Sequence, residues 1–373
     1  LPQRRTTMAV KDIIEELRAK LGDSPEENEK ILREEGKRYA SEGNADGVSA
    51  AEKLMIENMS DEQRDEIYRI THVDGVSLDK MFDNINKLIN EKKIVEAKPI
   101  AERLYKKIIV EFKEGEKAKF VSFRNPFEDN LYQYMYKSET KTLNRTPFDF
   151  SAYITTYAYI LVETGSPLDA IPVLEKAIEY NPVDCGPRFE LAEVFKLLKN
   201  KKRMLEVTRD TLKIASSPVA IARCYANIGY ILVDMGEFDD AVAFYTASVM
   251  FAPHPQIPYE LRDIAQRKGT PVIQPTREQI DKAMEKYDIK FGPNPDVITV
   301  AAQLSMHYLQ QQNLPLALNS LKLTYNLTRD EKIKQLILKY EPAAQRLVPN
   351  QSSEAVDAVK PNITRTVNED PES

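Results

Sequence analysis

The chain has 373 residues, 42% of them hydrophobic and 29% charged, with only 12 glycines and no tryptophan. That is enough apolar content for a core along most of its length and too little glycine for a loop-rich β protein. A net charge of −6 gives no basic footprint for nucleic acid or an anionic membrane, and two cysteines are too few for a disulfide framework.

Residues 1–7 (LPQRRTT) are basic but lead into no apolar signal core, so they read as a tag or alternative start ahead of Met8. Within 1–23, Val10, Ile13, Ile14, Leu17 and Leu21 keep one helix face apolar, and Gly22 ends it. Residues 24–113 read as helical hairpins, degenerate as repeats. Ser24-Pro25-Glu26-Glu27 is a start signal. The helix it opens runs to about Ala40, and a second follows through Met59. Ser60 to Gln63 is a capping box opening a helix to about Ile70. A further hairpin carries Met81, Ile85, Leu88 and Ile89 on one helix and Ala97, Ala101, Leu104 and Ile108 on the next, with Pro99 marking a kink or a later start.

Over 114–147 the periodicity breaks and six aromatics crowd together: Phe120, Phe123, Phe127, Tyr132, Tyr134 and Tyr136. So many aromatics do not stay in water. The insert therefore either covers the apolar start of the array that follows or forms part of a ligand groove. Alternation from Leu131 to Tyr136 suggests a short strand.

Residues 148–254 hold an internal repeat. Gly165, Ala170, Leu174, Ala177 and Pro182 recur at the same intervals as Gly236, Ala241, Tyr245, Ser248 and Pro253, and Tyr157-Ala158 and Leu161 fall where Ile228-Gly229 and Leu232 fall. Small residues allow close helix approach, glycine tolerates the positive φ that ends the first helix, and proline stops the second. Weaker copies lie at Cys185–Pro218 (Leu191-Ala192, Phe195, Met204, Thr208) and near the C-terminus (Leu304-Ser305, Tyr308, Ala317, Leu321). Between them, 255–297 reads as a helical insert with a Thr276/Gln279 cap and a rigid connector, Lys290 to Pro295. Residues 298–343 read as a last repeat with a capping helix that ends near Tyr340, and 344–373 as a disordered tail.

The spacing resembles the tetratricopeptide repeat, a helical hairpin of about 34 residues. Phe238, Tyr225 and Gly229 add to the match, while the absence of tryptophan leaves the first-helix aromatic only partly represented. The expected fold is all-α: an α-solenoid of stacked antiparallel hairpins, a right-handed superhelix with irregular inserts. The resemblance implies that the first helices of successive repeats line a concave groove for a peptide. Its candidate wall is Thr155, Tyr159 and Val162; Phe189, Glu193 and Lys196; Arg223, Ala226, Asn227 and Tyr230; and Ala302, Met306 and Leu309. Asn227 matches a position that holds peptide backbone in family members. The Lys and Asn set that clamps a terminal carboxylate in chaperone-binding members is otherwise missing. Tyr159, Phe189 and Tyr230 have the profile of interface anchors, and Arg223 that of a donor fork.

Catalytic motifs are absent. The three histidines, His72, His254 and His307, lie in separate regions with no zinc-ligand spacing, and there is no phosphate loop, dinucleotide turn or nucleophile elbow. The expectation is no catalytic residue, cofactor or metal. Cys185 and Cys224 fit buried packing positions. Lys196, Lys199, Lys201, Lys202 and Arg203 form one basic cluster across a turn, a solvated surface or a contact for an acidic partner. The functional expectation is a cytoplasmic, non-catalytic scaffold or adaptor binding a protein or peptide, without nucleic acid or membrane insertion, and with homo-oligomerisation through the array ends as an option. The alternatives are a peptide-sensing regulator and, less favoured, an enzyme subunit using the aromatic insert.

Overall fold

The computed structural model describes residues 10–41 and 44–345, so the expectations for 1–7 and for most of the tail lie outside the described residues. Four helices open the described region: α1 (Val10–Arg18), α2 (Pro25–Ser41), α3 (Ala45–Glu57) and α4 (Asp61–Thr71). Ile13, Leu17, Leu32, Tyr39, Ala50, Ala51 and Leu54 form a small core of their own. Asn28 ties this unit together: its amide bonds both backbone groups of Gly22, at 2.8 Å each, and Asn58 Oδ1 at 2.9 Å. The expected Ser60/Gln63 capping box forms at the start of α4.

A two-residue-strand hairpin, β1 (His72–Val73) and β2 (Val76–Ser77), follows. Asp74 and Gly75 turn it with φ of 51° and 78°. An Asp-Gly pair is a strong hairpin signal that periodicity alone passes over. Next come α5 (Leu78–Asn90) and α6 (Ile94–Glu111), the hairpin expected there, with Pro99 accommodated inside α6.

The aromatic insert contains β3 (Ala118–Val121), α7 (Pro126–Met135) and β4 (Thr142–Arg145), the two strands paired in parallel. The strand suggested for Leu131–Tyr136 is wrong. Asn125 caps a helix by accepting from Glu128 N at 3.0 Å, and Pro126 sits at its first position. Those start signals outweigh a short run of alternation.

The repeats are α8 (Phe150–Glu163) with α9 (Pro167–Tyr180), α10 (Cys185–Leu197) with α11 (Lys201–Ile214), and α12 (Pro218–Met235) with α13 (Phe238–Phe251). Each forms an antiparallel pair that packs on the next. Gly165 and Gly236 end their helices at φ of 83° and 81°, as the repeat predicts. Then come α14 (Ile257–Lys268), α15 (Arg277–Glu285), α16 (Pro295–Gln310), α17 (Leu314–Thr328) and α18 (Glu331–Gln345). The last helix runs past Tyr340 and through Pro342. The molecule is an all-α solenoid of stacked hairpins.

Two departures from uniform stacking matter for the site. First, the insert docks on the first repeat, where Ser122 Oγ accepts from Phe150 N at the start of α8 (3.2 Å). Ser122 N donates to Tyr180 O (2.8 Å), Asn181 Nδ2 donates to Ser122 O (3.1 Å) and Glu128 (2.8 Å), and Arg124 reaches Asp184 at 3.0 Å. Second, α16 packs mainly on α17 and on α7. Val121, Phe123, Leu131 and Tyr132 of the insert thereby share one core with α10, α12, α13 and α16.

Candidate functional site

Helices α8, α10 and α12 each carry three candidate residues spaced i, i+4, i+7, which places them on one helix face. On α10 these are Phe189, Glu193 and Lys196; on α12 they are Arg223, Asn227 and Tyr230. The two rows lie side by side in register. Arg223 stacks its guanidinium over the Phe189 ring at 4.4 Å, and Lys196 sits over the Tyr230 ring at 4.3 Å. Each is a cation–π contact across the helix pair, worth about 0.5–1 kcal/mol at a part-exposed position. On α8, Thr155 and Tyr159 are part-exposed, and the Thr155 hydroxyl donates to Ser151 O at 2.7 Å.

The electrostatics of this wall are balanced. Arg223 faces Glu193 at 3.7 Å and Glu190 at 4.0 Å, and Lys196 faces Glu193 at 3.9 Å. These are long, shared contacts, outside hydrogen-bonding distance. Burial pushes the Glu190 carboxyl above its usual range, opposed by Arg223. Asn227 is 7% exposed and its Nδ2 has no hydrogen-bond partner.

The candidate residues do not all behave alike. Phe189 is 7% exposed and belongs to the core, so it forms the floor of the wall rather than a projecting anchor. Tyr159 and Tyr230 remain part-exposed. Met306 is exposed on α16, whose main packing partners are α17 and α7, so it is not drawn into the α8–α10–α12 rows. The basic cluster is largely engaged within the chain: Lys201 meets Asp234 at 3.2 Å, and Arg203 meets Glu206 at 2.9 Å. Both thiols are held protonated by burial, Cys185 pushed up to about 12 and Cys224 raised well above its usual value. Among the described residues no three His, Cys, Asp or Glu side chains are arranged to hold a metal ion, and no helix is long and apolar enough to cross a membrane.

Residue spacing missed Glu190 and His254. His254 follows the last strong repeat, between Pro253 and Pro255, and its ring is close enough to Arg223 and Lys196 for their charges to act on it. Only the position of Pro253 as the end of a repeat, where the chain returns to the next first helix, marked that neighbourhood in advance.

The profile of the tetratricopeptide repeat matches residues 222–255, the α12–α13 hairpin and its closing Pro253-His254. This hairpin is a tetratricopeptide repeat. The matched repeat is the one that supplies Arg223, Asn227 and Tyr230, and in its family it is a module for protein–protein interaction. The α8–α9 and α10–α11 hairpins have the same helix-turn-helix form and lie outside the matched residues. No curated protein matches the chain.

Proposed function

We propose that the protein is a non-catalytic adaptor that holds an extended segment of a partner protein along the wall formed by α8, α10 and α12. One observation carries this reading: α10 and α12 set a row side by side in which two cations stack on aromatic rings, Arg223 on Phe189 and Lys196 on the part-exposed Tyr230. Tyr159 and Tyr230 offer flat apolar area at low entropy cost. The match to an interaction module and the lack of catalytic motifs support the same reading. Cytoplasmic residence is part of the proposal.

The test is capture from native lysate by the wild-type protein and by Tyr159→Ala/Tyr230→Ala, followed by mass spectrometry, with thermal unfolding of both. The adaptor reading expects a partner lost from the double variant while the unfolding temperature moves by no more than about 2 °C, the scale of a surface change. Equal capture by both proteins removes the groove from the account. A drop of several degrees shows that the two tyrosines serve packing instead.

A further inference from the structure

Between α14 and α15 the chain runs through Pro271-Val272-Ile273-Gln274-Pro275-Thr276 without helix, strand or bend. Its own chemistry keeps it straight. Proline fixes φ at 271 and 275, Gln274 is held extended because a proline follows it, and Thr276 is extended as the cap of α15. Among the described residues nothing pairs with this main chain: no N–H or C=O of Val272, Ile273 or Gln274 takes part in a backbone hydrogen bond. The side chains alternate. Val272 packs on the inner core, and Ile273 stands 85% exposed.

A cleft of about 270 Å³ lies beside the segment. It is lined by Val249 and Met250 of α13, by Gln274 and Pro275, and by Arg277 and Ile280 of α15. Val249 and Met250 are 45% and 56% exposed, so with Ile273 three large apolar side chains stand in water at one place. A cluster of that kind, unlike scattered apolar residues, marks a surface that meets something. Arg277 brings charge to the lining. Its guanidinium lies over the Phe291 ring at 3.8 Å, and its Nε bonds both oxygens of Asp281, at 2.9 and 3.0 Å. That pair occupies Nε, and the Nη donors remain for a second carboxylate.

We propose that this is a docking site for an extended segment of a partner protein, which pairs with the main chain of Val272–Gln274, sets an apolar side chain in the cleft and meets Arg277 with a carboxylate. Unpaired main chain beside a pocket is the arrangement by which one strand adds to another: the backbone supplies affinity and the pocket selects a side chain. Pro271 and Pro275 have no N–H. They confine the pairing to three residues and keep the edge from templating aggregation. One cleft receives both side chains of the occupant, so they lie on the same face of its strand, two positions apart. The site belongs to α13, α15 and the segment before α15, and it shares no residue with the α8–α10–α12 wall.

The probe is a display library of random decapeptides, selected on the full-length protein after depletion on Met250→Glu. Selected peptides are expected to share a Leu, Ile, Met or Phe and an Asp or Glu two positions apart. Changing that apolar residue to Ala should weaken binding about thirtyfold, as loss of a buried anchor does. Changing the acid to its amide should weaken binding about tenfold on the wild type and leave binding to Arg277→Gln unaltered. Methylating the peptide nitrogens one at a time should weaken binding at every second position, the period of a paired strand. The alanine and methyl series are read on the wild type, so they do not depend on how a variant folds. Tyr159→Ala/Tyr230→Ala should bind these peptides as the wild type does. Failure to select any peptide that depends on Met250, a methylation profile without alternation, or an acid indifferent to Arg277 overturns the site and leaves the wall standing. Loss of the selected peptides from Tyr159→Ala/Tyr230→Ala shows one site where two are claimed, and overturns it as well.

Discussion

Gly229 lacks a side chain because Tyr245 occupies the space one would need. A Cβ there lies 2.8 Å from the tyrosine ring, inside any real contact distance. Tyr245 is fully buried and cannot swing away. Gly229→Ala should therefore destabilise by about 1–3 kcal/mol, the usual cost of overpacking, despite the better helix propensity of alanine. Denaturant unfolding measures this. A neighbouring pair makes the same hairpin and shows how repeats diverge without losing a contact. Ser248 Oγ donates to Ala222 O at 2.8 Å, and at the equivalent positions of the first repeat Ser151 Oγ donates to Ala177 O at 3.0 Å. The serine has changed helices, and the bond between the helices persists. Ser248→Ala and Ser151→Ala should each cost about 1 kcal/mol. These residue-scale features were readable in part. Gly165, Gly236, Ala158 and Gly229 announced tight turns and close approach, because each role demands one residue type. The serine exchange was not readable, because a buried hydroxyl has many acceptors open to it and only the packing selects one.

At the scale of elements, the insert depends on a few directed bonds. Glu139 accepts from the Lys141 backbone N–H (3.0 Å) and from the Tyr132 hydroxyl (3.0 Å), and Lys119 pairs with it at 3.0 Å. These contacts, the backbone N–H first, hold its carboxyl down to about 2 against an ordinary 4.5. A depressed carboxyl contributes stability above its unfolded value and loses it as pH falls through the folded one. The insert should therefore loosen between about pH 4.5 and about pH 2, and Glu139→Gln should remove that part of the acid transition seen by tyrosine fluorescence. At the other anchor, Asn181 is fully buried and joins Ser122 to Glu128. Asn181→Ala should cost about 1–3 kcal/mol by leaving a buried carbonyl and carboxylate short of a donor. The helices of the hairpins were legible from apolar spacing and caps such as Thr276/Gln279, which form as expected. The fold of the insert was not. Its strands are four residues long and pair across an intervening helix, so local pattern carries almost none of their register.

For the whole molecule, the resemblance carried the stacking of α8 to α13, and distant contacts decided the rest. That α16 would meet α7, from residues far earlier in the chain, follows from the shape of the inner core and from no periodicity. The two cores of the repeat region bury or half-bury several tyrosines. Burial raises Tyr153, Tyr180, Tyr225, Tyr245 and Tyr287 above their ordinary value of 10.0, Tyr225 to about 12. A raised pKa contributes stability in full below the unfolded value and loses it as pH rises through the folded one. Cooperative unfolding should therefore set in above about pH 10, and the tyrosinate absorbance of these five groups should appear with it, after that of exposed tyrosines such as Tyr259.

The central claim is that α8, α10 and α12 hold an extended segment, and hydrogen exchange of the protein with and without the partner captured from lysate tests it most directly. The account predicts added protection concentrated in 150–163, 185–197 and 218–235. Protection confined to α4, to α5–α6 or to α16–α18, with those helices unchanged, would contradict it.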